Sequence, residues 1–142
     1  MKPRFPFLAL GLAALVAVLP SASAQDTHTK GPKPAHIAMG QRVVIADYVV
    51  PGKTTIFDFT SEYCPPCRAI APKLDALHAK RDDIAVVKVD INRPGVKGID
   101  WRSPVATQYK MQSIPNFKVF GPDGKLVAEG EKAGELVRSW LK

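Results

Sequence analysis

The 142-residue sequence has only two cysteines and three histidines, and it contains no run of basic residues. Two cysteines are too few for a disulfide-dense scaffold or for a closed zinc site built from four thiolates. The net charge of +7 is scattered along the chain without a basic-aromatic repeat, so we expect no nucleic-acid partner. Internal repeats and low-complexity tracts are also missing. These absences, with the chain length, favour one globular domain.

Long hydrophobic runs are missing too, apart from one near the start of the chain. Phe5–Leu19 is shorter than the roughly 20 residues that a membrane-spanning helix needs. Lys2 and Arg4 precede this run, and Ala22-Ser23-Ala24 follows it. This order is typical of a secretory signal peptide that is cleaved after Ala24. We therefore expect a periplasmic protein with three parts: a signal peptide (1–24), a flexible polar leader (25–40) and a folded domain (41–142).

The rest of the sequence alternates between strand patterns and helix patterns. Strands are predicted by short apolar or β-prone runs, with a turn at Gly121–Gly124 between the last two: 43–50, Thr54–Thr60, Ile84–Val89, Asn116–Phe120 and Lys125–Glu129. Helices are predicted by apolar positions at helical spacing: Cys67–Arg81, with His78 on its polar face, Pro104–Tyr109 and Lys132–Leu141. The order predicts an α/β fold, in which a mixed central sheet has helices on both faces.

The two cysteines lie in Cys64-Pro65-Pro66-Cys67, where a predicted buried strand ends and a predicted helix begins. The first amides of a helix have no intrahelical acceptor, so they stabilise an anion. Lowering a thiol pKa from about 8.5 to about 7 requires about 2 kcal/mol, which a helix terminus and one hydrogen bond can supply. We therefore expect Cys64 to be an exposed nucleophile and Cys67 a buried resolving thiol. A structural disulfide and a metal-binding thiol pair are the alternatives.

Two further features are unusual for the elements in which they occur. Asp58 interrupts an apolar strand, and burial there would raise the pKa of its carboxyl and suit a proton acceptor for a thiol. Lys88, in the neighbouring predicted strand, is its candidate charge partner. Ile114-Pro115 immediately precedes another strand, a position typical of a sheet edge or a turn.

Taken in order, these residues resemble the thioredoxin family over Thr54–Leu141. The matching positions are Asp58, Cys64-Pro65-Pro66-Cys67, Pro72, Lys88, Ile114-Pro115 and Gly130. The sequence departs from the family pattern at four places. Thr60, two residues after Asp58, stands where an aromatic residue is usual. Tyr63 stands where tryptophan is usual, Pro65-Pro66 replaces Gly-Pro, and the loop Asn92–Ser103, which contains Trp101, is longer than in a minimal thioredoxin.

The resemblance implies a thioredoxin fold that performs thiol–disulfide exchange without a cofactor other than the redox-active Cys64–Cys67 disulfide. It also implies that Asp58 helps to deprotonate Cys67 and that the Ile114–Pro115 bond is cis and faces the cysteines. The backbone of Ile114 would pair with the substrate as an added strand. The remaining residues expected to contact substrate are Tyr63, Pro65, Pro66, Pro115 and Gly130.

The expected function is that of an exported, monomeric oxidoreductase that reduces disulfides in proteins or peptides. Isoleucine before the proline is also what cytosolic reductases of the family carry, which favours reduction. A membrane electron donor would have to re-reduce an exported protein. Two alternatives are open: a disulfide-donating oxidase of the same fold, because small changes in potential decide the direction, and a copper-binding chaperone that uses the cysteine pair as soft ligands.

Overall fold

The computed structural model describes residues 29–142, so the predicted signal peptide lies outside the described residues. The elements follow one another in this order: β1 (Ala35–Ile37), a 3-10 turn (Ile45–Tyr48), β2 (Thr54–Thr60), α1 (Pro65–Lys80), β3 (Ile84–Asp90), α2 (Pro104–Gln108), β4 (Asn116–Phe120), β5 (Leu126–Glu129) and α3 (Gly130–Trp140). Within residues 29–142, no helix combines the length and the apolar character needed to cross a membrane.

The strands form one mixed sheet in the order β1-β3-β2-β4-β5. Strands β1, β3 and β2 are parallel, whereas β4 is antiparallel to β2 and β5 is antiparallel to β4. The apolar run of β2 pairs on both sides, as its composition predicts for a central strand. Because the carboxyl ends of the three parallel strands lie at the same edge, the loops that follow them meet there.

The core lies in two layers, one on each face of the sheet. Phe57 and Phe59 of β2 pack on one face with Val105 of α2, and Ile56 packs on the other with Leu74 of α1 and Val137 of α3. Side chains of a strand alternate between faces, so one apolar strand serves both layers. The predicted α/β architecture with helices on both faces is confirmed, and β2 holds the start of α1 at the centre of one edge.

Two predicted segments differ from the structure. The leader expected at 25–40 contains β1, which pairs with β3 and buries Ile37, so regular structure begins before Gln41. The segment 43–50 was expected to be a strand, but Ile45–Tyr48 is a 3-10 turn. In the segment 43–50, the backbone of Val43 forms its hydrogen bonds with a side chain and not with a neighbouring strand. Val43 N donates to Gln108 Oε1 (3.0 Å), and Gln108 Nε2 donates to Val43 O (2.8 Å).

His78 is also placed differently from the prediction, because it is buried against the sheet. Its Nδ1 accepts the backbone N–H of Val86 in β3 at 3.0 Å. Since an amide N–H can only donate, the ring proton belongs on Nε2, which donates to the carbonyl oxygen of Gly31 at 2.8 Å. Lys30 Nζ donates to Arg81 O at 2.6 Å beside it. The segment before β1 is thereby attached to α1 and β3.

Replacing His78 with alanine is expected to destabilise the protein by about 2 kcal/mol, because the buried N–H of Val86 loses its acceptor. His78→Asn is the matched variant, since its Oδ1 can occupy the place of Nδ1 while the bond to Gly31 is lost. Urea unfolding should find the asparagine variant more stable than the alanine variant, and hydrogen exchange should show faster exchange of β1 amides in both. Equal destabilisation of the two variants would contradict this account.

Candidate active site

A disulfide joins Cys64 and Cys67 across the first turn of α1. Cys64 is the N-cap of the helix, and its Sγ accepts a hydrogen bond from the backbone N–H of Cys67 at 3.2 Å. Pro65 and Pro66 occupy the first helical positions and have no N–H, so within the motif Cys67 supplies the donor. The helix N-terminus is therefore directed at the sulfur of Cys64.

The loop before β4 lies against the same sulfur. The carbonyl oxygen of Ile114 is 3.7 Å from Cys64 Sγ, although the two residues are 50 positions apart in the sequence. The Ile114–Pro115 peptide bond is cis. The structure thus brings together the two cysteines and the Ile114-Pro115 loop.

Cys64 is less accessible than expected in this oxidised form. Its exposed fraction is 2%, similar to the 1% of Cys67, because the disulfide packs between the start of α1 and the Ile114 loop. The expectation of an exposed Cys64 is therefore wrong for the disulfide state. Around it, Tyr63 is 40% exposed and both prolines of the motif are exposed.

Two more segments lie near this edge of the molecule. Gly130, at the start of α3, has a φ of +61° and lines a surface cavity together with Pro115 and Ile70. The long loop Asn92–Ser103 follows β3 and is joined to the β2 end through a 2.6 Å hydrogen bond from Ser61 Oγ to Asn92 Oδ1.

The long loop is built around buried polar side chains that sequence reasoning missed. Asn92 Nδ2 donates to the carbonyl oxygen of Gly98 at 2.6 Å, and Arg93 Nε donates to Asp100 Oδ2 at 2.7 Å. This ion pair and hydrogen bonding hold the pKa of the Asp100 carboxyl below its ordinary value. Asn92 and Asp100 are buried, whereas Trp101 is 40% exposed. Because burial cannot be seen in a sequence, no local signal indicated that Asn92 and Asp100 order this loop.

Asp58 is buried in the middle of the sheet with an exposed fraction of 1%. In the described part of the chain, neither of its carboxylate oxygens has a hydrogen-bond partner. Loss of solvation raises the pKa of Asp58 to about 7, while the charge of Lys88 acts in the opposite direction and that of Asp75 adds to the increase. The sequence-based expectation of a buried carboxyl is confirmed. Its oxygens do not reach either cysteine by a hydrogen bond in residues 29–142.

Lys88 lies beside Asp58 in the strand register, but its ion pair is with another residue. The Nζ of Lys88 is 2.6 Å from Oδ1 of Asp75 on α1. Lys88 therefore acts on Asp58 through its charge, as expected, but forms its ion pair with Asp75. Asp75 was missed because a single acidic residue on an exposed helix face carries no signal in the sequence.

A metal centre does not form from the residues that the structure describes. No three side chains of histidine, cysteine, aspartate or glutamate in 29–142 are grouped so that they could hold an ion.

The disulfide lies at the N-terminus of the helix that follows the central strand of a mixed sheet, and it contacts the Ile114-Pro115 loop. This arrangement defines the class of thioredoxin-fold proteins with a Cys-x-x-Cys site. The thioredoxin family model matches residues 44–142. Chloroplastic thioredoxin F1 of Arabidopsis thaliana is 34% identical over 87 residues, which cover 60% of this chain and 44% of that protein. The chain belongs to the thioredoxin family.

Solved structures agree with this assignment at the level of the fold. The long form of spinach chloroplast thioredoxin F is 21% identical, with a TM-score of 0.55 over 82% of this chain and 91% of that one. Thioredoxin f2, in its complex with ferredoxin:thioredoxin reductase, is 24% identical with a TM-score of 0.52 over 78% and 94% of the two chains. This chain spans about half the length of the curated relatives it matches.

Proposed function

We propose that the protein is an exported thiol–disulfide oxidoreductase that reduces disulfides in proteins or peptides. The observation that carries the proposal is the Cys64–Cys67 disulfide, in which the helix N-terminus and the N–H of Cys67 are directed at Cys64 Sγ. After reduction, the same groups stabilise a thiolate on Cys64, because they interact more favourably with an anion than with a neutral thiol.

The reaction transfers two electrons from the dithiol to the substrate. The Cys64 thiolate attacks one sulfur of the substrate disulfide, forms a mixed disulfide and releases the other sulfur as a thiolate. Cys67 then loses its proton and attacks Cys64 Sγ, which restores the Cys64–Cys67 disulfide and releases the second substrate sulfur. Asp58 is the proposed proton acceptor for Cys67, because its pKa of about 7 suits a base that works near neutral pH.

The surroundings of Cys64 support binding of an extended substrate segment. The carbonyl group of Ile114 is 3.7 Å from Cys64 Sγ and would accept a hydrogen bond from a substrate backbone that adds as a strand. Exposed Tyr63 and the motif prolines, Pro65 and Pro66, would contact the substrate on one side, and Pro115 with Gly130 on the other.

The cellular setting of this proposal rests on the sequence before Gln25. An exported protein is separated from cytosolic reductants, so a membrane protein is its proposed electron donor. The proposed oligomeric state is a monomer. The direction depends on the potential of the pair, since 30 mV corresponds to about 1.4 kcal/mol. We expect a titration against glutathione to give a value below about −200 mV, whereas one near about −120 mV would indicate an oxidant.

Replacing Cys67 with serine is expected to trap mixed disulfides between Cys64 and substrate proteins, because the resolving thiol is lost. The full chain, including residues 1–24, would be produced in a Gram-negative host, and adducts would be isolated from the periplasmic fraction of alkylated cells. Mass spectrometry should find a protein that starts at Gln25 and adducts that thiol reductants release. The Cys64→Ser variant is the control and should give none. Retention of the protein in the cytoplasm, or equal yields from both variants, would contradict the proposal.

A further inference from the structure

Three ionisable side chains form a row across the sheet. The register pairs His36 of β1 with Lys88 of β3, and Lys88 with Asp58 of β2. Residues paired in this way point to the same face of a sheet, and here it is the face that α1 covers. Burial increases along the row, because His36 is exposed at the edge, Lys88 is largely buried and Asp58 is completely buried.

Lys88 has a carboxyl group on either side and pairs with the outer one. Its ammonium group is 2.6 Å from Asp75, whose side chain is 50% exposed. The inner carboxyl, that of Asp58, has no hydrogen-bond partner among residues 29–142. A buried ionised carboxylate gains most from a direct cationic partner, so a lysine held away from it favours the neutral acid.

We propose that Asp75 is a positioning residue that holds the ammonium group of Lys88 away from Asp58. Lys88 and Asp75 both line a cleft between α1 and the segment before β1, so their ion pair lies at the outer end of the row. While Asp75 retains Lys88 there, the carboxyl of Asp58 has no cationic partner in direct contact and is able to gain and lose a proton. The catalytic consequence of this arrangement rests on the proposed function, whereas the arrangement itself does not.

The charged groups around Asp58 come from few elements. Lys88 faces it from β3 and Asp75 from α1, while Lys33 and His36 line the same cleft from the segment at β1. The neighbouring β4 residue in register is Phe117, and the buried α3 residues in this layer are Ala133 and Val137, which do not titrate. A change at Asp75 therefore reaches Asp58 along two routes, its own charge and the position of Lys88.

A double-mutant cycle separates these two routes. Asp58 would be titrated by the carboxyl ¹³C shift in the oxidised full-length protein, for the wild type, Asp75→Asn, Lys88→Met and the double variant. Asp75→Asn should lower the titration midpoint of Asp58 by about one pH unit or more, because Lys88 becomes free to pair with it. Lys88→Met should raise the midpoint. In the Lys88→Met background, Asp75→Asn should change the Asp58 midpoint by less than half of the change that it causes when Lys88 is present.

An equal effect of Asp75→Asn with and without Lys88 would overturn the positioning role. Asp75→Glu keeps a carboxylate for Lys88 and should restore a midpoint close to that of the wild type. Asp83→Asn is the control for general charge, since Asp83 pairs with Arg81 at the surface and should not move the midpoint.

A second measurement connects the position of Lys88 to the reaction. The release of a substrate thiol from a preformed mixed disulfide at Cys64 would be followed between pH 5 and 9, and in Asp75→Asn its pH profile should shift in the same direction as the Asp58 midpoint. A shifted midpoint with an unchanged release profile would support the positioning role and count against Asp58 as the proton acceptor of the proposed function. An unmoved midpoint would overturn the positioning role, and normal release in that variant would leave the proposed function standing.

Discussion

Replacing Cys64 with serine is expected to reduce the rate of protein-disulfide reduction by at least about 10³-fold, to the level of the reductant alone. A serine hydroxyl is not ionised near neutral pH and cannot form the mixed disulfide, so the first covalent step is lost. Insulin reduction by dithiothreitol, followed by turbidity, would measure this loss. Folding should be little affected, because a serine at this position can still cap α1 through its side chain.

The Cys67→Ser variant separates the two halves of the reaction. It should release about one equivalent of substrate thiol in a single burst and then stop, because Cys64 can attack while the mixed disulfide is not resolved. Alkylation of Cys64 in this variant should reach half its maximal rate below the pH of about 8.5 expected for a free cysteine. Residual turnover in Cys64→Ser, or alkylation with the pH dependence of a free thiol, would remove the basis of the proposed function.

The elements that sequence analysis located correctly are those with a local physical signal. The largely apolar run Thr54–Thr60, interrupted by Asp58, predicted a strand buried on both faces, and the spacing of Leu74 and Leu77 predicted the buried side of α1. The turn residues Gly121–Gly124 predicted the hairpin of β4 and β5. In each case the residues that carry the signal also make the stabilising contacts, so no distant part of the chain was needed to interpret them.

The features that were missed depend on contacts between distant segments. Three-residue β1 forms because β3 offers a free edge, and the turn after Val43 forms because Gln108 satisfies its backbone. His78 was placed on a polar face, since a helical pattern cannot show that the N–H of Val86 needs an acceptor. These elements are determined by hydrogen bonds whose partners lie elsewhere in the sequence.

The features of the candidate site also fall into those that have a local signal in the sequence and those that depend on distant contacts. The motif Cys64-Pro65-Pro66-Cys67 is local, and its geometry at the start of a helix followed from the residues themselves. The approach of Ile114 to Cys64 came from the resemblance to a family and not from any local pattern. The pairing of Lys88 with Asp75 had neither kind of signal, because it depends on how α1 lies over the sheet.

Replacing Asp58 with asparagine is expected to stabilise the protein at alkaline pH and to leave its stability near pH 4 almost unchanged. Burial raises the pKa of Asp58 from its ordinary value of 3.8 to about 7 in the folded protein. Between these values the folded state binds a proton that the unfolded state has lost, so the free energy of unfolding decreases as the pH rises through this window. The loss attributable to this one group is about 4 kcal/mol.

Asparagine has a similar shape and does not ionise, so the variant should lack this loss. Urea unfolding of the oxidised protein at pH 4.5 and pH 8.5 would measure it as the difference between wild type and variant, which should grow by up to about 4 kcal/mol towards the higher pH. The wild type and the variant are compared at each pH because other groups titrate as well. Burial raises the pKa of Asp90. The hydrogen-bonded ion pair with Arg81 lowers the pKa of Asp83 to about 2, below this window. If the two proteins lost stability in parallel, Asp58 would not change its charge near neutral pH. It could then not take a proton from Cys67 under the conditions in which the proposed reaction runs.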